Sequence, residues 1–296
     1  MIYKIRHITE YKYNTPVSLC YNLAHLVPRH TDNQQCKSTL VHITPKPTYG
    51  HKREDYFGNS TYYFSLEEPH KSLVIDVTSE ISTEPVFSSM NLDMGVSCGD
   101  ARHLLQTAID PGVIEAREFV MDSPMIKRSE ALRAYAIELF DDNRPLLSAA
   151  MALTSKIFTE FKYDPESTTV ATPLNEAFEL KHGVCQDFAH VAIGCLRSMG
   201  FAARYVSGYL ETLPPPGQIK MIGADASHAW FSVYSPGEGW FEFDPTNDNM
   251  PGEQHITAAW GRDYSDVTPL QGVIFEGGGS QMLSVSVDVQ RVAAIP

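Results

Sequence analysis

The hydrophobic period of the chain changes twice along its length. Through the first ~80 residues, apolar side chains recur at every second position. From residue 126 to residue 199 they recur every third or fourth position, and after residue 200 the two-residue rhythm returns. A period of two lines one face of a strand, and a period of 3.6 lines one stripe of a helix. A chain with this order is α+β: a β-rich region first, then helices packed on an antiparallel sheet. Its 296 residues fit two domains at roughly 150 residues each.

The early strands are read at Ile2–Tyr11, Leu19–Val27, Thr39–Ile43, Tyr62–Leu66 and Leu73–Ser79. Turn-type clusters separate them, beginning with Asn14-Thr15-Pro16, and the spacing suggests a sandwich-like module. The stretch from Pro85 to Pro111 lacks clear periodicity. The domain boundary is set there, giving residues 1–105 and 106–296. Helices are expected over Ile126–Phe140, opened by Ser123-Pro124, and over Asn143–Phe161. Two more are expected from Thr172-Pro173 to Lys181, with Gly183 as C-cap, and over Cys185–Met199. Strands follow at Ala202–Leu210, Ala229–Tyr234 and Trp240–Phe243, with Pro214-Pro215-Pro216-Gly217 as a loop. Met282–Val289 reads as a closing strand, and Gly277-Gly278-Gly279 before it as a flexible connection.

Composition excludes several functions. The net charge is −13 with no long basic run, a poor match for nucleic acid or an anionic membrane. The start alternates apolar and polar residues, unlike a signal peptide, and no apolar run approaches the roughly 20 residues that span a bilayer. The expected location is the cytoplasm. Five scattered cysteines without a CxxC read as free thiols. Asn59-Ser60-Thr61 matches a glycosylation triplet and is taken as chance.

Three segments carry candidate chemistry: Gly183-Val184-Cys185-Gln186-Asp187-Phe188-Ala189-His190, Ser227-His228-Ala229-Trp230, and Gly239 to Thr246. Cys185 stands where a glycine turn enters a helix, whose positive end favours a thiolate. His228 begins a strand and could exchange a proton with that thiol. Asp244 ends the next strand, and the turn from Ser235 to Gly239 would bring it beside His228 to orient the ring. Each residue alone has a plainer reading: a small core residue, a backbone-satisfied histidine, a turn-forming Asp-Pro. Together, in this order, they form a Cys-His-Asp acyl-transfer arrangement.

These segments resemble the bacterial transglutaminase-like superfamily. So do Phe161-Lys162-Tyr163-Asp164, Arg204 to Tyr209 and Gly261 to Val267. His7, Tyr11, Tyr13, Pro28-Arg29 and Asp55 to Asn59 resemble the β-rich N-terminal region of one bacterial subgroup. The resemblance implies a papain-like fold, with Cys185 as nucleophile, His228 as base and Asp244 as the orienting acid. Animal members carry tryptophan after the nucleophile and often need calcium. Here Gln186 follows, and no calcium loop is present. The expectation is a thiol-dependent amide hydrolase or acyl transferase acting on a peptide or protein amide, without cofactor or metal, hydrolysis being favoured over crosslinking. Gln186 and Tyr163 are candidate oxyanion donors, and Trp230 a candidate floor of the substrate cleft. The alternatives are a non-catalytic peptide-binding module on the same fold and an acyltransferase to a small amine. Oligomeric state is not legible.

Overall fold

The computed structural model describes residues 1–85, 91–212 and 227–292. The expected loop at Pro214 to Gly217, and residues 86–90 of the expected junction, lie outside these. The first half is a sheet built from β1 (Ile2–Ala24), β2 (Gln34–Thr44), β3 (Tyr49–Glu54), β4 (Ser60–Leu66) and β5 (His70–Thr83). Helices follow: α1 (Cys98–Thr107), α2 (Pro111–Ala116), α3 (Glu130–Ala136) and α4 (Leu146–Glu160). Then come β6 (Lys162–Tyr163), α5 (Leu174–Leu180), β7 (His182–Gly183), α6 (Cys185–Ser198), β8 (Ala203–Leu210), β9 (Ser227–Ser235), β10 (Gly239–Phe243), β11 (His255–Gly261) and β12 (Leu270–Arg291).

The two strands expected at Ile2–Tyr11 and Leu19–Val27 are one strand. Asn14-Thr15-Pro16 does not turn the chain back; it makes a run of register shifts between Tyr13 and Cys20. Before the shifts β1 pairs with β5, and beyond them with β4. β12 runs antiparallel to β1 along almost its whole length, from Tyr3↔Arg291 to Ala24↔Leu270. The expected closing strand is therefore longer than its alternation marks, and it closes the first sheet. Gly277-Gly278-Gly279 are not a free connection. They take positive φ of 87°, 84° and 54° opposite the irregular stretch of β1, where a side chain at Gly277 would collide with the Pro16 carbonyl.

The second half centres on α6, whose residues Gln186 to Arg197 are all buried. One side of α6 lies on the antiparallel sheet β10-β9-β8-β11, and α3, α4 and α5 pack around the rest. Its polar side chains are buried with partners: Arg197 donates to the Phe119, Ala203 and Arg262 carbonyls. Phe188, Ile193, Leu196, Phe201, Phe231 and Phe243 form the middle of the core. The third helix starts later than Ser123-Pro124 suggests. The Ser123 hydroxyl is taken by Arg197, and Ser129 caps the helix instead, accepting from the Leu132 N–H. α1 lies inside the stretch read as irregular. It buries Cys98, Ala101 and Leu105 and is capped by Ser97, a stripe too short to stand out as periodic. Among the described residues, no helix is long and apolar enough to cross a membrane.

The two halves meet at β11, an edge strand of the second sheet. Two side-chain amides from the first half dock on it as a strand partner would. Gln34 donates to the Thr257 carbonyl and accepts from the Thr257 N–H, both at 2.8 Å. Asn59 does the same to Trp260, at 2.8 and 2.9 Å. Asn59, the residue of the glycosylation triplet, is fully buried. Tyr3, Ile5, Ile81, Val287 and Val289 pack against Tyr209, Ile256 and Ala258 behind these bonds. The edge of one sheet is thus covered by the other, with the backbone groups of Thr257 and Trp260 satisfied.

Candidate active site

Cys185 is the first residue of α6, and the turn before it sets its position. Lys181 ends α5 in the left-handed conformation, with φ 53°, so the expected glycine C-cap is not used. His182-Gly183 instead pairs in parallel with Lys162-Tyr163. Asp187 folds back over this turn. Its Oδ2 accepts from the Val184 N–H at 2.9 Å and from the Thr168 hydroxyl at 2.7 Å. Any side chain at Gly183 would run into that carboxyl group, which explains the glycine. Burial raises the Asp187 pKa despite those two bonds. Among the first N–H groups of the helix, which have no partner within it, stands that of Cys185 itself.

β9 presents His228, and its register with β10, from Gly239↔Ser235 to Phe243↔Phe231, carries Asp244 to the same end of the sheet. His228 Nε2 donates to Asp244 Oδ2 at 2.7 Å. The half-buried Cys185 lies close enough to act on the charge of the same ring. Burial alone would lower the His228 pKa. The bonds to Asp244 and then to Cys185, with the charges of both, outweigh it and push the pKa up to about 10. At neutral pH the ring is therefore held as imidazolium.

Asp244 is completely buried. Burial works against its charge, but hydrogen bonds from His228 and His255 hold its carboxyl well below the usual carboxylate range. Both readings of this aspartate apply at once. Oδ1 makes the turn, accepting from the N–H groups of Thr246 and Asn247 at 2.9 and 3.3 Å. Oδ2 takes His228, the Asn247 amide at 2.7 Å and His255 Nε2 at 3.1 Å.

His255 was not legible in the sequence. It opens β11, a buried strand without alternation, and a lone histidine before Ile256-Thr257-Ala258-Ala259 is the only trace it leaves. The donor atoms of His228, Asp244 and His255 all lie within 4.8 Å of one another, near enough to share a cation. In the arrangement here each ring nitrogen donates to the carboxylate. His190 lies apart from these groups. It is buried against Tyr205 and accepts the Tyr264 N–H at 3.2 Å.

The remaining candidates divide. Tyr163 is half-exposed, beside Gly183 in the parallel pair; burial and then the nearby Cys185 raise its pKa. Gln186 is buried, and its side-chain amide donates to the Val170 carbonyl at 3.4 Å. Trp230 is wholly enclosed and does not face a cleft. Its indole N–H donates to Glu242 at 2.9 Å, and its rings pack on His228 and His255. Tyr205, which local sequence signals did not single out, lies buried within electrostatic range of Cys185, its pKa raised first by burial and then by that thiol.

Residues 3–82 match the bacterial transglutaminase-like N-terminal region, and residues 133–245 match the transglutaminase-like superfamily. An uncharacterised protein of Mycobacterium tuberculosis, Rv2569c, is 39% identical, the alignment covering 97% of this chain and 92% of that protein. A Pseudomonas aeruginosa protein-glutamine gamma-glutamyltransferase is 28% identical over 47% of this chain and 23% of its own length. Among solved structures, a Cytophaga hutchinsonii protein provisionally classed as a cysteine protease superposes with a TM-score of 0.76 at 21% identity. That match covers 98% of this chain and 90% of the other.

Proposed function

The chain belongs to the transglutaminase-like superfamily, and we propose from that membership that it is a thiol enzyme acting on a peptide or protein amide through Cys185, His228 and Asp244. One observation carries this reading: His228 is hydrogen-bonded to a buried carboxylate and stands within electrostatic reach of a cysteine at a helix start. The Cys185 thiolate, whose proton is held on His228 as imidazolium, attacks the amide carbonyl carbon, and that imidazolium is the proton store for the step that follows. The tetrahedral oxyanion is met by N–H groups at the start of α6, with the Tyr163 hydroxyl at the rim as a second donor. Collapse breaks the C–N bond. His228 gives its proton to the leaving nitrogen, and a thioester on Cys185 remains. Water, deprotonated by His228, then attacks the thioester, releasing the acid and restoring the thiolate and imidazolium. A primary amine in place of water gives transfer. Asp244 keeps the ring oriented and its charge balanced throughout.

Hydrolysis is the favoured outcome, at a location we take to be cytoplasmic. The test incubates glutamine-containing peptides with and without a primary amine and reads the products by mass. Deamidated or cleaved peptide that persists with amine present is the expected result. Quantitative amine incorporation would overturn the preference for water. Replacing Cys185 by alanine is expected to lower turnover by roughly 10,000-fold or more. Turnover unchanged in Cys185→Ala would remove the reading altogether. Stoichiometric peptide binding without product in the native chain would identify a binding module instead.

A further inference from the structure

The carboxylate of Asp244 has a second imidazole on it, and the strand bearing that imidazole is held by the other domain. His255 Nδ1 accepts the Gly252 N–H at 3.3 Å, so the ring proton is on Nε2, which donates to Asp244 Oδ2 at 3.1 Å. Trp230 packs edge-on against the ring at 5.3 Å. Glu242, on β10, is the other acidic group acting on it.

The segment carrying His255 is fastened on several sides by the first sheet. The Thr83 hydroxyl donates to the Glu253 carbonyl at 3.1 Å. Gln34 grips both backbone groups of Thr257, two residues on. Ile256 packs among Tyr3, Ile5 and Ile81. His255 cannot shift away from Asp244 unless the first sheet lets β11 move.

We propose that His255 is a positioning residue for the reaction, acting through Asp244, and that the N-terminal sheet takes part in the chemistry by aiming it. With Asn247 and His255 both donating to Oδ2, the carboxylate stays ionised and fixed, and His228 keeps one orientation toward Cys185. This rests on the reading of Cys185 and His228 given above. It also gives the N-terminal domain a role that needs no substrate contact.

The test uses iodoacetamide at limiting concentration on the full chain across pH, with modified peptides located by mass, so no substrate need be known. The proteins are the native chain, His228→Ala, His255→Gln, His255→Phe and Gln34→Leu. His255→Phe should slow labelling of Cys185 about 10-fold at neutral pH, the scale of one lost hydrogen bond to a charged group. It should also move the pH midpoint of labelling upward. His255→Gln, which can still donate, should stay within about threefold of the native rate. Gln34→Leu, which leaves His255 in place and frees β11, should fall between the two. Labelling of Cys36, partly exposed on β2, should not change in any variant. Fast labelling in the native chain, lost in His228→Ala but intact in His255→Phe and Gln34→Leu, would overturn this proposal alone. Native labelling of Cys185 no faster than that of Cys36 would overturn the reading beneath it, and this proposal with it. If His255→Phe does not fold, a native pH profile in Gln34→Leu overturns the proposal.

Discussion

His7 and His228 both stand on strands and are both nearly enclosed, yet their surroundings drive them in opposite directions. His7, on β1, meets only hydroxyls: Tyr209 at 3.1 Å and Thr9 at 3.0 Å. Burial pushes its pKa down to about 4, and the ring stays neutral. For His228, on β9, burial pulls the same way, but the bonds to Asp244 and Cys185 reverse it and take the pKa up to about 10. Depth does not decide the charge of a buried imidazole; the charge of its partner does. The first sheet uses His7 as a neutral pin to the second, since Tyr209 lies on β8. The second sheet keeps a charged ring near Cys185.

The sharpest way to break this contrast is to neutralise one partner. Asp244→Asn should leave the fold intact and reduce turnover about 1,000- to 10,000-fold. His7→Gln should leave turnover unchanged and cost about 1–2 kcal/mol of stability, read by urea unfolding. A drop in turnover with His7→Gln would erase the distinction between the two sites.

Acid and base should separate the same two histidines. A raised folded pKa gives stability that is full below the unfolded value of 6.5 and is lost as pH climbs through about 10. His7 and the buried His190, both lowered to about 4, contribute above 6.5 and lose that contribution as pH falls toward 4. The melting temperature should therefore fall on both flanks. His228→Gln should flatten the alkaline flank only, and His7→Gln part of the acid flank. An alkaline flank unchanged in His228→Gln would show that the ring is not charged in the folded state.

A smaller effect tests the joint between the sheets. Asn59→Leu removes both bonds to Trp260 and leaves two backbone groups buried without partners, at a cost of about 2–3 kcal/mol. Gln34→Leu should cost less, because Asn59 also holds Asp55 and Arg29, whereas Gln34 adds only a bond to the Arg29 carbonyl. Equal values would mean that packing behind the strand, not the amide pairing, holds the halves together.

How much of this was legible follows from the distance over which each residue acts. α6 announced itself through Gly183 before it and Gly200 after it. Cys185, His228 and Asp244 were legible because each stands at an element end with its own local signal, and the turn at Ser235–Gly239 joined two of them. Gln34, Asn59 and His255 left no such mark. Gln34 meets Thr257 across 223 positions, and Asn59 meets Trp260 across 201, so no local window contains both partners. β11 escaped because both its faces are covered and its side chains do not alternate. The glycines at 277–279 read as slack because their partner, the irregular stretch of β1, lies near the other end of the chain.

The pairing of β1 with β12 also orders events during synthesis. β1 leaves the ribosome long before β12, the strand that satisfies one of its edges. The helices and the four-stranded sheet can fold while that edge waits, open to wrong partners. A product ending before Leu270 would carry Cys185, His228, Asp244 and even His255, and still lack the strand that completes the sheet gripping β11. β12 thus completes the sheet that grips β11 only after the segments carrying all four of those side chains have been made.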